Sequence, residues 1–215
     1  MPRTVDISVY VNTIRGMGIQ TEKVLKLLKK TPILSSSELS KAGIDRKTIH
    51  RMMNAGDILR VSRGLYSSND YIPGPYYSFL EAQKIVSNGV ICLLSALTFY
   101  EIGTQNPSLV WMAVPRRARA PQINQNPIQL VRFSGKAYDE GIIKQEIESE
   151  LINIYNIPKT IADCFKYRNK IGLEVALEAL KDVIHNKRTT IDELLYFADI
   201  CRVKNIITPY IESFI

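Results

Sequence analysis

The chain is poor in the residues that most often carry chemistry. It has two histidines, which excludes a histidine-rich metal site. Its three cysteines, Cys92, Cys164 and Cys201, include no CxxC pair and have no histidine close by. They read as small buried hydrophobes in a reducing compartment, so a cytoplasmic protein is expected. No apolar run approaches the roughly 20 residues that cross a bilayer, and the first residues lack a secretory signal pattern. No membrane partner is expected. Phosphate-binding and nucleophile signatures of the G-x-x-x-x-G-K-[ST], G-x-G-x-x-G and G-x-S-x-G types are absent. Glu146, Glu148 and Glu150 alternate along a probable strand, the pattern of one wet face rather than of converging metal ligands. These absences predict no catalytic residues, no metal and no cofactor.

What is present is positive charge, unevenly placed. Residues 1–70 hold 12 Lys/Arg against 6 Asp/Glu, a net of +6; residues 71–215 hold 16 against 15, a net of +1. A basic segment beside a near-neutral one points to a polyanion-binding module joined to a module with another task.

The spacing predicts an α+β protein: an N-terminal winged helix-turn-helix, then a mixed α/β C-terminal domain ending in helices. Residues 1–20 form an extension, 21–70 the head and 71–215 the second domain. In the head, "TEKVLKLLKK" has helical apolar spacing with Thr21 as its cap, and "SSSELSKAG" offers a serine cap and Gly43 as a stop. Asp45 caps a third helix, about 46–55, that stops at Gly56. "ILRV" and "LYS" flank Ser62-Arg63-Gly64 as a short hairpin. "SSNDYIPGP" (67–75) is the linker. Beyond it come helices from Tyr76 to about Ser87 and from a Ser95 cap to Gly103. Strands follow at "LVWMAVP" and "IQLVRF", then a hairpin of "IIKQEIE" and "LINIYN". Helices are expected at 158–168, 173–186, 190–203 and 207–214, and Trp111 is expected in the core.

At 100° per residue, Ile49, Met52 and Met53 share one face of the third helix and are expected in the core. Lys47, His50, Arg51 and Asn54 share the opposite face. Arginine matches a guanine edge and asparagine an adenine edge, whereas lysine usually holds phosphate. Arg46 in the first turn and Arg63 at the hairpin tip are placed to reach the DNA backbone. A solvated helix face is the plain alternative, and a protein-interaction winged helix is another. Downstream, Gly103 to Ala137 contains no acidic residue. The loop "RRARAPQINQNP" within it presents Arg116, Arg117 and Arg119, either to phosphate or simply to solvent.

The stretch "YNIPKTIADCFKYRNKIGLEVALEAL" (155–180) resembles the C-terminal domain of AbiEi-type antitoxins, the regulatory partners in AbiE abortive-infection systems, which are type IV toxin–antitoxin systems of phage defence. Three further stretches agree in order: "ELSKAGIDRKTIHRMMNAGDILRVSRGLY", "ICLLSALTFYEIG" and "VWMAVPRRAR". The resemblance implies a transcriptional autorepressor that binds inverted repeats in its own promoter DNA, with Lys47, His50, Arg51 and Arg63 on the recognition helix and wing. It also implies antitoxin action against a nucleotidyltransferase-like toxin, without a stable complex, and no catalytic residues. Lys159, Lys166, Tyr167, Arg168, Asn169 and Lys170 are the polar or amphipathic positions of the family block and the candidate antitoxin surface; solvation of a helix end is the plain alternative for them. A nuclease or nucleotidyltransferase targeted by the head, and a protein-interaction adaptor, are the rival functions. The extension at 1–20 departs from the family pattern.

Overall fold

The computed structural model describes residues 7–119 and 127–215, with side chains from residue 18 onward. The chain divides into two compact units, residues 1–74 with 148–150, and residues 75–147 with 151–215.

The first unit begins with α1 (Ile7–Leu28), one continuous helix rather than an extension followed by a helix capped at Thr21. Thr21 lies inside it, because nothing in "IRGMGIQ" removes a backbone donor and the helix carries through both glycines. Strand β1 (Leu34–Ser35) leads into α2 (Ser36–Lys41). Ser35 and Glu38 close a capping box, each side chain taking the other's backbone N–H. Then come α3 (Arg46–Ala55), β2 (Ile58–Ser62) and β3 (Leu65–Ser68). The sheet order is β1-β3-β2, antiparallel throughout. Three helices with a hairpin directly after the third is the winged helix-turn-helix arrangement. Its core is Val24 and Leu28 from α1, Leu39 from α2, Ile49 and Met52 from α3, and Leu34, Ile44 and Ile58.

The second unit holds α4 (Tyr77–Ile85), β4 (Val90–Ile91), α5 (Leu93–Phe99), β5 (Val110–Pro115), β6 (Ile128–Phe133), α6 (Lys136–Asp139), β7 (Ile142–Ile147) and β8 (Glu150–Tyr155). The helices α7 (Ile157–Lys166), α8 (Arg168–Ile171), α9 (Leu173–His185), α10 (Ile191–Ile200) and α11 (Lys204–Phe214) complete it. Its sheet is mixed, in the order β6-β5-β4-β8-β7. Strands β5 and β6 run parallel, in register from Val110 opposite Ile128 to Pro115 opposite Phe133; β4 is antiparallel to β5 and parallel to β8. α7 packs against α5, α9 and α10, and its buried residues sit in one large core with Leu97, Val131, Phe133, Tyr155 and Leu180. Trp111 is partly buried against that core.

Two local expectations change. Ser95 does not cap α5; Cys92 holds that position, and Ser95 lies buried in the first turn. There its hydroxyl accepts from the Trp111 N–H at 2.9 Å, tying α5 to β5. Glu148 does not continue a strand. Glu148 and Ser149 form the two-residue turn between β7 and β8, both at positive φ (49° and 65°), as a tight hairpin requires. The alternation of three glutamates on one strand face is therefore broken. Residues 120–126 of the predicted polar loop lie outside the described residues. Among the described residues, no helix is long and apolar enough to cross a membrane, and no group of three or more His, Cys, Asp or Glu could hold a metal ion.

Candidate nucleic-acid interface

α3 owes its limits to local chemistry. The Asp45 carboxylate accepts the Thr48 N–H at 2.6 Å, and this bond holds the carboxyl below its ordinary range. Gly56 closes the helix at φ 78°, a left-handed conformation natural to glycine. The inward face is Thr48, Ile49 and Met52, so Thr48 takes the core place expected for Met53, which is only partly buried. A buried hydroxyl needs a partner, and Thr48 Oγ1 donates to Gln20 Oε1 of α1 at 3.0 Å. The same oxygen accepts the Asp45 N–H at 3.2 Å, so α1 holds the start of α3 in place.

Arg46, Lys47, His50, Arg51 and Asn54 are all exposed. They do not form a single row. Arg51 leans toward α1, donating from Nη2 to Thr21 Oγ1 at 2.8 Å. Arg46 and His50 lie on the other flank, facing the hairpin. Lys47 and Asn54 fall between them by helical spacing.

The hairpin after α3 supplies the second wall. Gly64 at its tip has φ 76°, and its carbonyl accepts the backbone N–H of Ser36 at 2.7 Å and the Ser36 hydroxyl at 3.2 Å. The tip is thus tied to the start of α2, and Arg63 projects beside it, exposed. Between this wing, α2 and α3 lies an open concavity of about 570 Å³. Arg46, His50, Arg60 and Arg63 line it over an apolar floor of Ile44, Ile49, Met53 and Tyr66, and among the described residues no carboxylate lines it. Arg60 was not singled out from the sequence. Strand alternation places it on the same face as buried Ile58, and it stands opposite Tyr66 in the ladder. In most strands that face is core; here the hairpin overhangs the groove and the position opens to solvent. Alternation combined with an arginine at a nominally inward position was the available signal.

In the second unit the candidate residues divide. Lys166, Asn169 and Lys170 are exposed, while Tyr167 and Arg168 are partly buried. Arg168 donates from Nη1 to the Phe165 carbonyl at 2.9 Å, capping α7. Burial pushes the Tyr167 phenol up to about 12. Lys159 does not belong with them: it is completely buried and paired with Asp163 inside the core, so it is no part of a working surface. Arg116, Arg117 and Arg119 are exposed. Arg132 braces their turn, its Nη1 donating to the carbonyls of Arg116 and Ala118 at 3.0 and 2.9 Å.

Gly141 follows from the Lys159 placement. Its φ is 82°, and an added Cβ would stand 2.8 Å from Lys159 Cβ and 3.1 Å from a Phe197 ring carbon. Gly141→Ala is expected to cost about 1–3 kcal/mol through strain and overpacking. Urea titration against wild type checks it, and a midpoint unchanged within error would contradict the packing described.

No curated protein sequence matches the chain. Among solved structures, the crystal structure of RV2827C protein from Mycobacterium tuberculosis is similar at 12% identity, covering 91% of this chain and 81% of that one with a TM-score of 0.59. At that identity the likeness speaks to the fold alone. Residues 22–69, which span the groove and α3, match the family model described as a transcriptional regulator, AbiEi antitoxin. Over the head that carries the candidate interface, the chain matches the model of the AbiEi antitoxin regulators, the family its sequence resembles.

Proposed function

We propose that the protein represses its own promoter by binding inverted repeats in double-stranded DNA through the winged helix, and that its second unit is the antitoxin of a type IV toxin–antitoxin system. The observation that carries the reading is the groove beside α3: three arginines and a histidine line it, and no carboxylate is among the described residues lining it. Such a face draws a polyanion at long range, and the adjoining Lys47, Arg51 and Asn54 supply further donors for phosphate and base edges. Arg116, Arg117 and Arg119 are positioned by Arg132 as a second, separate cationic element for DNA flanking the site. The toxin is nucleotidyltransferase-like and is countered without a stable complex. The exposed residues of the family block, Lys166, Asn169 and Lys170 with Arg168 beside them, are the working surface of that activity. The family is one of regulators, and the protein is proposed to be no enzyme.

Band shifts on the protein's own promoter test the first half. The second is tested by growth rescue with the toxin expressed from an unrelated promoter. Wild type and a Lys47→Ala/Arg51→Ala double mutant are expected to rescue equally, while a folded Lys166→Gln/Arg168→Gln/Lys170→Gln triple mutant is not. Failure of the double mutant to rescue would show that antitoxin action runs through DNA, and the division of labour would be lost.

A further inference from the structure

The groove beside α3 has a rim and a floor of opposite character. Arg46 from the first turn of α3, Arg60 from β2 and Arg63 from the wing tip bring three guanidinium groups to one concavity of about 570 Å³. No carboxylate is among the described residues lining it. Arg60 Nε donates to the Ser62 carbonyl at 3.3 Å, so the strand itself holds that guanidinium while its outer N–H groups take no part in the bond. The wing tip is fixed in turn by the two bonds from Ser36 to the Gly64 carbonyl. Below the rim lie Ile44, Ile49, Met53 and Tyr66, two isoleucines almost closed off from water and two side chains that are half-buried.

Duplex DNA uses the rim alone. Its backbone brings charged oxygens to the arginines, but a hydrated phosphate edge has no flat apolar surface to lay on the floor. A concavity of this size, apolar beneath a few convergent polar groups, has the composition of a small-molecule site. We infer that the groove is also the site of a small organic anion, a phosphate monoester carried on a flat ring. Such a phosphate has three terminal oxygens for three guanidinium groups, and arginine meets phosphate through paired N–H donors. The ring lies on Met53 and Tyr66, where its faces leave water. The consequence rests on the DNA-binding reading above. Ligand and DNA backbone need the same arginines, so each excludes the other, and the ligand lifts repression.

Calorimetric titration of full-length protein with naphthyl phosphate tests the site. Inorganic phosphate, the anion without the ring, and naphthol, the ring without the anion, are titrated beside it. Naphthyl phosphate is expected to bind at least about tenfold more tightly than either, since each control forfeits one half of the groove. Arg60→Ala/Arg63→Ala should weaken it by at least about tenfold. Met53→Gln should weaken naphthyl phosphate and leave inorganic phosphate unchanged, and Met53→Leu, which keeps the floor apolar, should bind as wild type does. In band shifts, naphthyl phosphate at ten times its Kd should raise the protein concentration needed for half-saturation of the duplex by about tenfold, as simple competition requires. Naphthyl phosphate binding no tighter than inorganic phosphate, or binding that the double arginine variant leaves intact, overturns the inference alone. Ligand binding at the groove with an unmoved DNA midpoint overturns the exclusion and removes the groove from the DNA interface. A protein that takes naphthyl phosphate as described but ignores duplex DNA overturns the DNA-binding reading, while the site itself is upheld.

Discussion

Asp163→Ala is expected to cost the second unit about 3–5 kcal/mol, the range for removing one partner of a buried ion pair. Lys159 and Asp163 are one turn apart on α7, both fully buried, with Nζ 2.5 Å from Oδ2. The ammonium also sits over the rings of Tyr155 and Phe133, 4.0 and 4.6 Å from their centroids. The second carboxylate oxygen accepts from the Cys201 thiol at 3.2 Å. Burial pushes the Asp163 carboxyl up, with Lys159 as the main opposing pull. Without the carboxylate, two ring faces are left to hold a charge that has lost its water. Removing both partners is a different change: Lys159→Met/Asp163→Leu takes the charge away and keeps apolar volume, so it should lose much less than Asp163→Ala. The chain's one tryptophan, Trp111, lies on β5 of the same unit, and its fluorescence in urea reports on this unit directly. A single mutant within about 1 kcal/mol of wild type would mean that the pair contributes little.

The second large effect is expected at the groove. Replacing Arg46, Arg60 and Arg63 together by alanine should flatten the dependence of log affinity on log salt by up to about 2.7 units, at about 0.9 for each phosphate no longer neutralised. The protein should stay folded, because all three side chains are exposed and none belongs to the core of the head. Affinity should fall on every duplex, specific or not, since phosphate contacts carry no sequence information. Asn54→Ala should behave in the opposite way, changing which sequence is chosen more than how steeply salt weakens binding. Band shifts at several salt concentrations separate the two. An unaltered slope in the triple mutant would remove the groove from the interface.

The legible parts of this protein were those set by short-range chemistry. α3 runs between Asp45 and Gly56 because a carboxylate satisfies an orphan N–H at one end and a glycine takes a left-handed turn at the other. The wing turn at Arg63-Gly64, the charged face of α3 and the helices of the C-terminal block depend on local spacing in the same way. The family pattern itself was visible over the head. Other features needed partners distant in the chain. Strand β4 has two residues, too few to show a period, and exists because β5 and β8 flank it. Ser95 has the chemistry of a cap, but the backbone N–H it serves belongs to Trp111 on a strand 16 residues away. Arg60 looked like an ordinary strand residue until the overhang of the hairpin turned its face into a groove wall. Lys159 is the plainest case. A lysine in an amphipathic helix is expected to face water, since burying an ammonium is costly. What changes the outcome is the surroundings that the fold assembles: a carboxylate one turn on, two aromatic faces from β6 and β8, and Gly141 leaving room for the stem. The one-turn spacing to Asp163 was in the sequence, but the low-dielectric enclosure that turns it into a buried pair comes only from the packing of α7 against the rest of the unit.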